Sequence, residues 1–133
     1  YLYIIINDYF YQDYLIFFLF IYIIGIGDKM QLIYNDKSID LYVCKSFFSR
    51  LKGFMFTRNI NRALLFDKCN SIHTFFMKEN IDVIMCDNDN KVLYFYSNLS
   101  KNKVILPKKG VRKVFETPSE YFDIKINERM IIK

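Results

Sequence analysis

The stretch from Ser71 to Asp87, SIHTFFMKENIDVIMCD, constrains the fold of this chain more than any other. It contains the only histidine, His73, and Asp82, a carboxylate that opens an apolar run. Asp82–Cys86 and Lys91–Tyr96 are β-prone runs that flank Asp87-Asn88-Asp89-Asn90. Asn and Asp tolerate left-handed backbone and bond their own main chain, so this tetrapeptide predicts a hairpin turn. It is not a calcium loop, because Val92 stands where the sixth-position glycine belongs and Asn98 where the twelfth, acidic ligand belongs.

The same punctuation recurs along the chain. Gln31–Tyr34 and Ile39–Val43 read as a hairpin around Asn35-Asp36-Lys37-Ser38. Ser46 is placed to cap a short helix over Phe47–Lys52, with Gly53 as the left-handed residue that ends it. Ala63–Phe66 reads as a short strand and Ser71–Met77 as a longer one. Val104–Leu106 and Arg112–Glu116 follow, around Pro107–Gly110, and Arg129–Ile132 closes the series. Thr117-Pro118-Ser119-Glu120 has the pattern of a capping box, which predicts a second helical turn. Seven or eight short strands with two small helices describe a mainly β, α+β chain built as a sandwich or barrel.

Residues 1–29 differ from the rest. Leu15–Ile26 is an unbroken apolar run, but as a helix it reaches only ~18 Å, against ~30 Å for a bilayer core. Gln12 and Asp13 limit its extension, and neither a basic leader nor a small-residue cleavage site marks a signal peptide. The lead is read as upstream sequence joined by start-site choice or as a poor membrane anchor, with residues 30–133 as one β-rich domain. A cytoplasmic location is expected, with membrane anchoring through residues 14–27 as the alternative.

The three cysteines, Cys44, Cys69 and Cys86, have no C-x-x-C spacing. With one histidine in the chain, neither a metal site nor a cofactor is expected. The net charge of +5 understates the basic character of residues 30–133, because residues 1–29 contain Asp8, Asp13, Asp28 and only Lys29. Lys101, Lys103, Lys108, Lys109, Arg112 and Lys113 form a candidate anion patch, and Tyr94 and Tyr96 beside it offer stacking faces. A solvated basic face accounts for the same residues and is preferred.

From Cys44 to Ile132 the chain resembles a prokaryotic family known as domain of unknown function 192. The matching blocks are Arg50-Leu-Lys-Gly53-Phe-Met55-Phe-Thr-Arg58, Ala63-Leu-Leu-Phe66, Cys69-Asn-Ser-Ile-His73-Thr74-Phe-Phe-Met77 with Ile81-Asp82-Val83, the Asp87–Val92 hairpin, Val114-Phe-Glu116 and the Pro118-containing turn. The resemblance implies a compact β-barrel or jelly-roll-like sandwich with small helices, and it brings no catalytic assignment. Asn80 and Asn127-Glu128 depart from the family's usual Pro and Gly-Asp.

In an extended Ser71–Met77, His73, Phe75 and Met77 share one face. The candidate pocket is accordingly His73, Thr74 and Met77 with Asp82 or Glu116, closed by Arg50 or Arg58. Histidine oriented by a carboxylate is the usual acid/base pair. A hydrogen-bonded histidine with Asp82 capping a turn explains the same residues without chemistry. The residues therefore favour a small non-catalytic binding or accessory domain, whose partner is a small molecule or a protein. A hydrolase- or isomerase-like enzyme using His73 and Asp82 is the alternative, and anion or nucleic-acid binding through residues 101–113 the third reading. Membrane contact enters only if residues 1–29 are genuine.

Overall fold

In a computed structural model, residues 29–133 are described, and the apolar lead with its candidate anchor at residues 14–27 lies outside them. Nine strands and one helix follow in order: β1 (Met30–Tyr34), β2 (Lys37–Val43), α1 (Phe47–Lys52), β3 (Ala63–Asp67), β4 (Ile72–His73), β5 (Ile81–Cys86), β6 (Val92–Leu99), β7 (Val104–Ile105), β8 (Lys113–Pro118) and β9 (Ile131–Ile132). Seven of them form one sheet in the order β6-β5-β8-β3-β2-β1-β9, curled into a half-barrel, while β4 and β7 make a separate ribbon.

The turns arise where the side chains allow them. Asn35, at φ 51°, makes the tight β1–β2 turn. In the β5–β6 turn, the Asp87 carboxylate accepts the N–H groups of Asp89 and Lys91, both at 2.9 Å, and Asn90 adopts φ 63°. β2 and β3 run parallel, and a parallel pair needs a crossover. Residues 44–62, which include α1, provide it. Ser46 Oγ accepts the Ser49 N–H at 3.1 Å, capping α1 as expected.

Strand alternation gives the sheet two apolar faces. Leu32, Leu41, Leu65, Ile84 and Phe115 fill the hollow of the curl together with Phe122 and Met130. Residues 127–130 help to draw the curl round. The Val92 N–H donates to Glu128 O and the Asn127 N–H to Val92 O, each at 2.8 Å, just before the chain enters β9 at the opposite edge. On the outer face, Leu64, Phe66, Val83, Met85 and Val114 pack against Cys44, Phe54, Met77, Ile105 and Val111. β5 is buried at all six positions because it is covered on both sides.

Two expectations need correction. Ser71–Met77 is not one long strand, since only Ile72–His73 pairs, with Ile105 and Val104. At Thr74 the chain is captured by the loop at residues 100–103. The Thr74 N–H donates to Lys103 O, its Oγ donates to Ser100 O at 2.8 Å, and the same Oγ accepts the Lys103 N–H at 2.9 Å. A turn with Phe76 at φ 58° follows, so the expected strand alternation does not continue past His73. The second helix is also absent among the described residues. Thr117 and Pro118 continue β8 against Asp82 and Ile81, and ladder pairing takes the place of the capping box. Only a turn remains, with the Tyr121 N–H on Pro118 O at 3.3 Å.

Candidate functional site

The cavity that brings candidate residues together lies on the outer face of the sheet. It encloses about 280 Å³. Its walls come from α1 and the turn after it (Phe47, Arg50, Leu51, Lys52, Gly53, Phe54, Met55), from Phe66 on β3, from Cys69, Ser71, Ile72, His73 and Met77, and from Val114 and Glu116 on β8.

Glu116 is the unusual member. Val83 opposes it on β5 and Leu64 on β3, so register places its side chain among apolar neighbours on the outer face. It is 3% exposed. The Phe54 backbone N–H bonds the carboxyl, whereas Oε2 has no hydrogen-bond partner. Burial pushes the acid up to about 8, with the Phe54 N–H pulling the other way. It is therefore mostly neutral at pH 7 and carries a proton that can be donated.

Gly53 makes this placement sterically feasible. Its φ is +47°, and a Cβ built there would stand 3.2 Å from Glu116 Oε2 and 3.4 Å from the Phe66 ring. Glycine thus answers both a backbone and a space requirement.

Of the residues singled out from sequence, His73, Met77, Glu116 and Arg50 line this cavity, and Thr74, Asp82 and Arg58 do not. His73 is half-buried, stacks on Phe75 with ring centroids 5.2 Å apart, and accepts the Phe75 N–H at Nδ1, 3.3 Å away. The Arg50 guanidinium donates to Asp67 O at 2.7 Å. Arg58 is exposed. Thr74 is the buried clasp on residues 100–103 described above.

Asp82 faces the other side of the sheet, one residue out of phase with Val83 and directly opposite Thr117. Its Oδ1 accepts the Asn98 N–H at 2.7 Å and its Oδ2 the Glu120 N–H at 2.9 Å. Asn98 and Glu120 have φ values of 50° and 59°, so one carboxylate pins two left-handed turns. Burial pushes Asp82 up, and these two N–H groups oppose the shift. The proposed His73–Asp82 pairing is not formed; Asp82 supports turns instead.

The residues of the candidate anion patch differ in their surroundings. Lys113 bonds Asn88 O at 3.1 Å and Asn90 Oδ1 at 2.8 Å, and Lys108 lies over the Tyr94 ring at 5.5 Å. Lys101, Lys103, Lys109 and Arg112 are exposed. Cys44 and Cys86 are buried thiols pushed up to about 12, mainly by desolvation. Among the described residues, no cluster of three or more His, Cys, Asp or Glu is suited to hold a metal, and no helix is long and apolar enough to cross a membrane.

Sequence reasoning missed Gly53, Phe54 and Cys69 as cavity residues, and Arg62 beside them. The Arg62 guanidinium lies over the rings of Tyr42 and Phe54, at 5.8 and 5.7 Å. It also missed Glu79, which receives the N–H groups of Asn59 and Ile60 at 2.6 and 3.3 Å and so holds the loop after α1. Several apolar side chains in or next to the segments that line the cavity are exposed. Phe47 (74% exposed) and Leu51 line it, Phe56 and Phe76 stack 5.5 Å apart, and Phe75 covers His73.

Comparison with known proteins agrees with this architecture. The family described as "Uncharacterized ACR", domain of unknown function 192, matches residues 30–132. The chain belongs to this family. A UPF0127 protein of Thermococcus sibiricus is 36% identical over 87 residues, covering 61% of this chain and 56% of the relative. One from Thermococcus kodakarensis is 37% identical over 79 residues, covering 55% of this chain and 50% of that relative. The chain thus spans about half the length of these relatives. A crystal structure from Sinorhizobium meliloti, titled a putative transcription regulator, matches with a TM-score of 0.65 at 14% identity, over 77% of this chain and 91% of that one. A protein of unknown function from Novosphingobium aromaticivorans matches with a TM-score of 0.62 at 12% identity, over 77% and 83%. At these identities the two structures speak for the fold alone.

In this member of the uncharacterised family, the blocks that carry the sequence resemblance also build the cavity. Among the described residues, Arg50–Arg58, Ala63–Phe66, Cys69–Met77 and Val114–Glu116 supply every lining residue except Phe47.

Proposed function

We propose that the protein is a small-molecule-binding accessory domain whose pocket is the cavity over Glu116. One observation carries this reading: a fully enclosed carboxyl with an unpartnered oxygen lines a cavity of about 280 Å³ whose walls are otherwise largely apolar. A buried polar atom without a partner costs about 1–3 kcal/mol, and a ligand that completes its bonding recovers much of that. Ligand sites are typically apolar concavities with a few converging polar groups.

A catalytic version would have to use His73 and Glu116, because Asp82 is committed to turns on the other face. The lining thiol of Cys69 donates to Ser71 O at 3.1 Å, and no hydrogen bond joins it to His73 among those described, which favours binding over turnover.

The test is a fragment screen by two-dimensional NMR on the purified chain, with native mass spectrometry to detect co-purified molecules. Binding should perturb resonances of Gly53, Phe54, His73 and Met77 before those of the inner-face residues Leu32 and Ile84. A library that leaves the first group unmoved, together with a clean apo mass, would remove the proposal.

A further inference from the structure

The outer-face cavity is asymmetric in its polar groups, and this asymmetry narrows the ligand. Among the described residues, Glu116 is its only acidic lining residue, and Arg50 and Lys52 are the cationic ones. Resting on the pocket reading above, we infer that the cavity takes a compact, largely apolar molecule tipped by an uncharged oxygen acceptor, a carbonyl or ether, which the Glu116 carboxyl group meets as hydrogen-bond donor.

Three observations support an acceptor over a cation. The unpartnered Oε2 belongs to an acid that burial keeps protonated, so its unmet need is for an acceptor. An ammonium would require ionising that acid inside an apolar enclosure, and would itself be repelled by the lining cations Arg50 and Lys52. Arg62 adds a further positive charge nearby, since with Lys52's burial it drives the Lys52 ammonium down. The size fits as well: a dry cavity of ~150 Å³ accommodates benzene, so this one has room for a substituted ring. Among the described residues, the ionisable groups around Glu116 are Cys44 just after β2, Arg50 and Lys52 from α1, and Cys69 and His73 from the β4 side, with Arg62 coupled to Cys44 and Lys52. β5 adds only Ile81, Val83 and Met85 to this face.

Three isosteric probes test the assignment: acetophenone (carbonyl), α-methylbenzylamine (cation) and ethylbenzene (neither). Their affinities are measured by NMR titration on the full chain at about pH 6 and pH 9, with the amine scored by its protonated fraction, in wild type and in Glu116→Gln. At the lower pH acetophenone should bind about tenfold more tightly than ethylbenzene, the factor given by one hydrogen bond of ~1.4 kcal/mol, and the amine should bind weakest. At the higher pH the ionised acid loses its donor, so the ketone preference should vanish and the amine should gain. Glu116→Gln retains a donor at both pH values and should keep the ketone preference at both. Inner-face methyl resonances report that each sample is folded.

Amine preference at the lower pH, or equal affinity for acetophenone and ethylbenzene, would overturn the acceptor assignment while leaving a pocket. A pH effect that persists in Glu116→Gln would overturn it too, by assigning the switch to another group such as His73. If none of the probes perturbs the lining residues, the pocket reading itself fails.

Discussion

Asp82 and Glu116 stand on neighbouring strands, are both buried, and face opposite sides of one sheet. On the inner side, both oxygens of Asp82 are used, each by a backbone N–H of a left-handed residue. On the outer side, Glu116 receives one backbone N–H and keeps one oxygen unpartnered. A satisfied carboxylate specifies local geometry; an unsatisfied one leaves an interaction for something outside the chain. On the proposed reading, Asp82 fixes backbone geometry on one face and Glu116 serves a ligand on the other.

The largest expected effect breaks the inner member of this comparison. Asp82→Ala leaves two N–H groups without their acceptor and should cost about 3 kcal/mol, read as a lower denaturation midpoint. Probe binding in the outer cavity should survive if folding is maintained by lower temperature. Equal loss of both would show that the two faces are not separable.

The pH dependence sharpens the outer member. Glu116 is raised from an ordinary 4.5 to about 8 in the folded chain, so the native state holds more protons than the unfolded state between those values. Its share of stability is complete below about 4.5, falls as pH rises, and is gone above about 8. The slope should be on the order of 1 kcal/mol per pH unit in that window. Glu116→Gln should flatten it and exceed wild type in stability at pH 9. Denaturant titrations at stepped pH measure both, and an unchanged slope in the variant would assign the protons elsewhere.

Gly53→Ala should cost roughly 1–2 kcal/mol, from the positive φ and from the close approach to Glu116 Oε2. Because the new methyl crowds that oxygen, ketone affinity should drop with stability, unlike in Asp82→Ala. At the small end, replacing the exposed Lys101 and Lys103 by Gln should change stability by less than about 0.5 kcal/mol. If either the domain's anion affinity or its salt slope changes clearly on that replacement, the anion-patch reading regains weight over the pocket.

Much of the β framework was legible because its signals are local. Asn35, Asp87 and Asn90 announce turns through their own side chains, and Ser46 and Gly53 mark the two ends of α1. The two misreadings fall where distant partners intervene. Thr74 is taken from an extended run by Ser100 and Lys103, some thirty residues away, and Thr117-Pro118 is held in the ladder by Asp82 and Ile81. The candidate site was half legible for the same reason: His73, Met77, Arg50 and Glu116 do meet, but spacing alone could not show that Asp82 faces away.

Sequence by itself determined the succession of short strands, the position of α1 and the family, since alternation, capping and turn chemistry each act within a few residues. Tertiary structure alone decided which carboxylate is satisfied and which lines a cavity. That outcome depends on strand register: β5 and β8 pair Val83 with Glu116 and Asp82 with Thr117, and a slip of one residue would exchange the two faces.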